Sequence, residues 1–99
     1  MIWPYEYDEQ ANRDVEGIFD YYEVQRAGLG EEFLGELGEI LSRVRRLPLS
    51  NRTIWRDVRR ARFYRFPHYG MFHRIEGSLI AIVAVYHASR DPAGWQQRV

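Results

Sequence analysis

The sequence contains no cysteine and no lysine. The first absence rules out disulfides, thiolate metal sites and a thiol nucleophile, and it points to a reducing, cytoplasmic setting. The second leaves arginine as every one of the 14 cationic side chains. Arginine stays protonated and grips carboxylates and phosphates through a planar fork, so it stabilises negative charge well and removes protons poorly. Long apolar runs are missing too: none approaches the roughly 18 residues of a membrane span. The beginning, MIWPYEYDEQ, is acidic and interrupted by Pro4, unlike a secretory signal, so neither secretion nor a membrane partner is expected. Phosphate loops, dinucleotide fingerprints, nucleophile elbows and zinc-protease motifs are absent. The 3 histidines, His68, His73 and His87, lack a ligand spacing, and no metal or cofactor is expected.

What the chain does hold is enough apolar material for one core. With 99 residues, 45% of them hydrophobic and 15% aromatic, it reads as a single domain over 1–99. The formal net charge of zero conceals a division. Residues 1–42 carry all the carboxylates except Asp57, Glu76 and Asp91, and only two arginines, Arg13 and Arg26; every other arginine lies in 43–99. An acidic half and a basic half suit a charged macromolecular partner.

Trp3, Tyr5 and Tyr7 share one parity in a short strand over 2–7, which Pro4 confines to an edge or a strand start. Asp8 stands at the N-cap position of a helix from Glu9 to about Arg26, with Ala11, Val15, Ile18, Phe19 and Tyr22 on one face. AGLG separates it from a second helix, EEFLGELGEILSRVRRL. There Phe33, Leu37, Ile40, Leu41, Val44 and Leu47 repeat the spacing, with acids early and arginines late to suit the helix dipole. Gly35 and Gly38 predict close approach of the two helices. Asp14, Glu16, Asp20 and Glu23 spread around the first helix, which predicts a solvated face rather than a metal-binding array.

Pro48 ends the second helix and LSNRT reads as loop. Three strands follow, at about 56–66, 69–76 and 79–87, broken by FPHYG and by the glycine-containing turn EGS. LIAIVAVYH is apolar on both parities, the pattern of an inner strand, while the two before it alternate more and belong nearer an edge. The order is β-α-α-β-β-β. This is an α+β fold with a helical hairpin packed on one face of a small, mostly antiparallel sheet.

The chemistry concentrates in VRRARFYRFPHYGMFHRI. Strand parity puts Arg60, Arg62 and Tyr64 on one face and Arg59, Ala61, Phe63 and Arg65 on the other. Ala61 and Phe63 suit the core, so Arg60, Arg62 and Tyr64 face away from the helices. Such a face serves nucleic acid, an acidic protein partner, or simply solvent with arginine stems covering aromatic rings. His87, ending an apolar strand, is either a cleft residue or a satisfied structural histidine.

Several stretches together resemble the RelE/ParE superfamily of bacterial toxins. They are DEQANRDVEGIFDYYEVQRAGLGEEFLGEL, then VRRARFYRFPHYGMFHRIEG, then IAIVAVYHASRDPAGWQQR with its ending H-x-x-RDP-x-x-W. The resemblance covers nearly the whole chain and is closer to the ParE branch. It implies a helical hairpin on a small antiparallel sheet, and a toxin of a type II toxin-antitoxin pair, of the plasmid-stabilization kind, silenced by a cognate antitoxin. ParE-like members poison DNA gyrase; RelE-like members cut messenger RNA on the ribosome. The resemblance therefore implies antitoxin- or target-binding roles for Arg59, Arg60, Arg62, Tyr64, Arg90 and Trp95. If the chain is a ribonuclease instead, it would act through His87, Arg60, Arg62 and Arg90. The missing lysine, prominent in the RelE-like branch, argues against cleavage, and a member that binds antitoxin without being toxic is the third reading. Two features depart from the family. His73 stands near a usual bulky aromatic, and FPHYGMF is one residue longer than the usual hairpin, where a bulge is expected.

Overall fold

The computed structural model describes residues 2–99. In chain order the elements are β1 (Tyr5–Tyr7), α1 (Glu9–Gln25), α2 (Leu29–Arg46), β2 (Thr53–Trp55), β3 (Val58–Arg62), β4 (Tyr69–Glu76), β5 (Leu79–His87) and α3 (Ala93–Gln96). The five strands form one sheet in the order β1-β5-β4-β3-β2, antiparallel except where β1 runs parallel to β5. This is the expected α+β arrangement with two short additions. β2 lies partly inside the predicted loop, and the polar tail closes with the single turn α3. The centre of the sheet is β4 rather than an edge-proximal position. Its alternation survives there because Phe72 enters a second core on the face opposite the helices.

Both faces of the sheet are covered. On the helix side, Phe33, Leu37, Ile40 and Val44 of α2 pack on Ala61, Phe63, Met71, Ile82 and Val85. The rings of Phe33 and Phe63 stack with centroids 4.7 Å apart. Burying a side chain of this size contributes about 1.5–3 kcal/mol, so this face dominates stability. On the far side, Val58, Phe72, Val83, Ala84, Tyr86 and Trp95 form a smaller cluster under α3.

Two expectations about the helices change. Gly35 and Gly38 face open space, and a Cβ at either would meet nothing within 4 Å. The glycine that lets the helices touch is Gly30, where a Cβ would come within 2.8 Å of the Phe19 ring and carbonyl. The acids of α1 are not all solvated either. Glu23 accepts bonds from the backbone N–H groups of Gly28 (3.2 Å) and Gly30 (2.7 Å), capping the start of α2 from outside it. Asp14 turns inward. Its carboxylate receives both terminal nitrogens of Arg98, at 2.7 and 3.0 Å, and the backbone N–H of Val85 at 3.1 Å.

The expected bulge also lies elsewhere. β3 and β4 stay in register from Arg59↔His73 to Arg62↔Gly70, and the slip is between β4 and β5. Phe72 pairs with Ala84 and His73 with Ile82, so Val83 is the extra residue. His73 sits at that slip, fully buried, with neither ring nitrogen hydrogen-bonded among the described residues. Burial first, then the Arg59 guanidinium beside it, hold its pKa down to about 4.

Two outcomes are expected. Asp14→Ala strands the Arg98 guanidinium and the Val85 amide, and should lower unfolding free energy by about 3 kcal/mol in a denaturant titration. The His73 ring takes up a proton far more readily unfolded, near 6.5, than folded, near 4. The folded state therefore binds fewer protons between those values, and stability falls as pH drops through that window, by about 3 kcal/mol in all. His73→Phe should remove that portion of the acid sensitivity without loss of stability at neutral pH.

Candidate antitoxin and target interface

Strand β3 carries the arginine run, and where each side chain points follows from its pairing. Arg60 lies opposite Phe72, and Arg62 opposite Gly70, on the face away from the helices. Gly70 makes this possible, since a Cβ there would press to 2.9 Å against the Arg60 side chain. Arg90 reaches the same face, its guanidinium 4.9 Å from the Tyr86 ring centre. Arg60 and Arg62 rim a small pit floored by Phe72 and Tyr86, so three of the expected arginines converge around one aromatic floor.

The other expected contacts fall elsewhere. Arg59 faces the helices, and its guanidinium donates to the carbonyls of Asn51 (2.6 Å) and Leu49 (3.2 Å), fixing the loop after α2. Tyr64 does not continue the outer face. The strand ends at Arg62, and the Glu36 carboxylate of α2 accepts the backbone N–H groups of Tyr64 (2.5 Å) and Arg65 (3.1 Å). The Tyr64 ring, 81% exposed, thus stands over Arg43 of α2, 5.7 Å from its guanidinium carbon. Trp95 is only 3% exposed, wedged against Phe72 and Trp55. It is a core residue of the far face, because α3 folds it under, and it offers no contact surface.

His87 is paired with Tyr69, one register step from the Tyr86 and Gly70 pair, so it points to the helix side. Its Nδ1 accepts the backbone N–H of Ser89 at 3.0 Å and lies 2.7 Å from the Ser89 hydroxyl. A backbone N–H can only donate, so the neutral ring carries its proton on Nε2 and presents a donor outward. Its neighbours are His68, with ring centroids 5.3 Å apart, and Tyr69, at 4.9 Å. Burial, then the adjacent Tyr22, push the Tyr69 phenol up to about 12, so it supplies no phenolate base near neutral pH.

Arg60 and Arg62 also form one wall of a larger feature missed from sequence. An open groove of about 970 Å³ runs between the C-terminal half of α2 and the β2–β3 edge. Arg43, Arg46 and Arg52 join Arg60 and Arg62 around it, over a floor that includes Ile40, Val44 and Ile54. Among the described residues no carboxylate lines it, and none of these arginines forms a salt bridge. Partial burial, then Arg62 and Arg52, make the Arg60 guanidinium less willing to hold its proton than usual. Sequence parity treated β3 alone. It had no means of bringing Arg43 and Arg46 of the helix against it, and the only hint was the arginine cluster ending α2.

A family model described as ParE toxin of type II toxin-antitoxin system, parDE, matches residues 5–92. The chain belongs to the ParE toxin family. No curated protein matches it. Among solved structures, the ParE-family chain resembles one of the chromosomal ParDE system of P. aeruginosa, with TM-score 0.75 and 16% identity over 87% of this chain and 96% of that one. It also resembles a chain of the toxin-antitoxin complex RelBE2 of Mycobacterium tuberculosis (TM-score 0.65, 19% identity, 88% and 99% covered). A third is a mutant E. coli toxin RelE in the free state (TM-score 0.69, 15% identity, 100% and 99% covered). At these identities the likeness is one of fold. Among the described residues no helix is long and apolar enough to cross a membrane, and no group of three or more His, Cys, Asp or Glu is placed to hold a metal.

The clamp from Glu36 sets where β3 ends and where Tyr64 stands. Glu36→Ala should cost about 1 kcal/mol, the usual worth of exposed charge-assisted bonds. Hydrogen exchange should show the Tyr64 and Arg65 amides losing protection while β4 and β5 keep theirs.

Proposed function

We propose that this ParE-family toxin acts on DNA gyrase in the cytoplasm, is held silent by a cognate antitoxin, and does not cut messenger RNA. The observation that carries this is the division of the residues a ribonuclease would need. Cleavage requires a base for the ribose 2'-hydroxyl, charge stabilisation at the phosphate and an acid for the leaving oxygen. The arginines that would stabilise charge, Arg60, Arg62 and Arg90, gather around Tyr86 on one face of the sheet. The candidate base, His87, points to the other face with its basic nitrogen engaged by Ser89. The chain has no lysine to replace it, and His68 is the one imidazole that lines the pit with Arg60 and Arg62. Membership of the ParE family supports the gyrase target, and the likeness to chains of the ParDE system and the RelBE2 toxin-antitoxin complex supports an antitoxin partner.

The test pairs two assays. Purified protein is added to plasmid with gyrase and ATP, and separately to a translating extract. Cleaved or unconverted plasmid with intact message is the expected result, unchanged by His87→Ala. Codon-placed cuts in the message with normal gyrase activity would overturn the proposal. Activity in neither assay, with harmless expression in cells, would leave a family member that only binds antitoxin.

A further inference from the structure

We propose that the free chain associates head to tail, the exposed acidic ridge of α1 in one copy seating in the arginine groove beside α2 of the next. The two surfaces are opposite in charge, and each has an apolar part. On α1, Glu16, Asp20 and Val24 follow one another at four-residue intervals, opposite the face that Ala11, Val15, Ile18 and Tyr22 turn to the core. Among the described residues neither Glu16 nor Asp20 forms a salt bridge, and Arg13, the only cation of α1, is engaged by Glu9. Val24 is 86% exposed, the most open of the large apolar side chains, and Tyr21 on the same side of the helix is 56% exposed. An apolar edge thus runs alongside a row of carboxylates that lack counter-charge.

The groove is the counterpart. Arg43 and Arg46 of α2 face Arg60 and Arg62 of β3 across it, over a floor that includes Val44 and Ile54. Successive carboxylates of the ridge are four helical residues apart, a rise of about 6 Å. Arg60 and Arg62 are two strand residues apart, about 6.6 Å. The matched spacing lets Glu16 and Asp20 meet guanidinium groups while Val24 and Tyr21 turn to the floor. Placement excludes the same contact within one molecule. α1 packs on β5 and α2 on β3, so the groove opens on the side of α2 away from α1, and a second copy must supply the ridge. Because the two patches differ, each added copy leaves one ridge and one groove free, and the assembly grows past a dimer. Groove-to-groove pairing is opposed by the arginines themselves.

The inference is independent of the gyrase reading, because the experiment contains no target. Sedimentation of the full chain, purified without any other protein, reads mass against concentration. At low salt the weight-average mass should rise through that of a dimer without levelling there. It should return to the monomer near 1 M salt, where the screening length is about 3 Å. Glu16→Arg with Asp20→Arg reverses the ridge, and Arg43→Glu with Arg46→Glu reverses the helix wall of the groove. Each double variant should weaken self-association at least about tenfold, with cooperative unfolding by circular dichroism showing that it is folded. Mixed together, the two should associate again, since the intact ridge of one meets the intact groove of the other. A wild-type chain that stays monomeric at millimolar concentration, or a mass that levels at the dimer, would overturn the proposal. So would association indifferent to either double reversal, or two folded variants that remain monomeric when mixed.

Discussion

The inner strand β5 has a partner on each side for only part of its length, and the Asp14–Arg98 pair makes that tolerable. β1 covers the first half of β5, from Ile80 to Ile82, and then the chain turns into α1 after Asp8. Beyond that point the bulge at Val83 leaves main-chain groups facing an empty edge. Arg98 donates to the Val83 carbonyl at 3.0 Å while Asp14 accepts the Val85 amide, and the two side chains bond each other. A carboxylate from a helix and a guanidinium from the tail thus do the work of a missing strand. With side chains 12% and 14% exposed, the pair is largely desolvated, so each partner depends on the other. It also pins the tail, and pinning the tail is what seats Trp95 over Phe72 and allows Tyr86 to donate its hydroxyl to the Asp91 carbonyl. The far core therefore depends on an ion pair at its rim.

The other end of the sheet is finished in the same manner, and with a different result. Glu36 of α2 closes the chain after β3, and Arg59 ties down the loop before β2. Between these two closures a stretch of edge around Arg62 is left with no side chain to satisfy it. Natural sheets usually blunt such an edge with charge, and here the charge is all of one sign. Positive groups on an edge oppose its pairing with a second copy of the same edge.

Much of the fold was legible because hydrophobic period reports directly on burial. The faces of α1 and α2, the both-sided apolarity of β5 and the glycine turn at Gly77 all follow from spacing. β2 was not legible because it is three residues long and its pairing depends on a turn with Arg56 at φ 54, which no residue in that stretch advertises. The burial of Trp95 was not legible for a related reason: a lone aromatic in a polar tail does not show its depth until the tail is seen to fold back, with Arg98 meeting a helix far away in sequence. The outward placement of Arg60 and Arg62 was legible from parity, whereas the groove was not, because parity describes one strand and the groove belongs to a helix and a strand together.

The division of charge along the chain takes a different meaning once its members are traced. Several acids of the first half are spent inside the molecule: Asp14 on an open edge, Glu23 on a helix start, Glu36 on a strand end. They satisfy backbone N–H groups, and although Asp14 also pairs with Arg98, none of them neutralises an arginine of the groove. The arginines of the groove are consequently left without counter-charge although the chain as a whole is neutral. Like charges gathered this closely oppose folding, and burial of Arg60 adds to that cost. Positive charge gathered beside an apolar floor, with no carboxylate among the described residues lining it, is what distinguishes this surface from an ordinary solvated face.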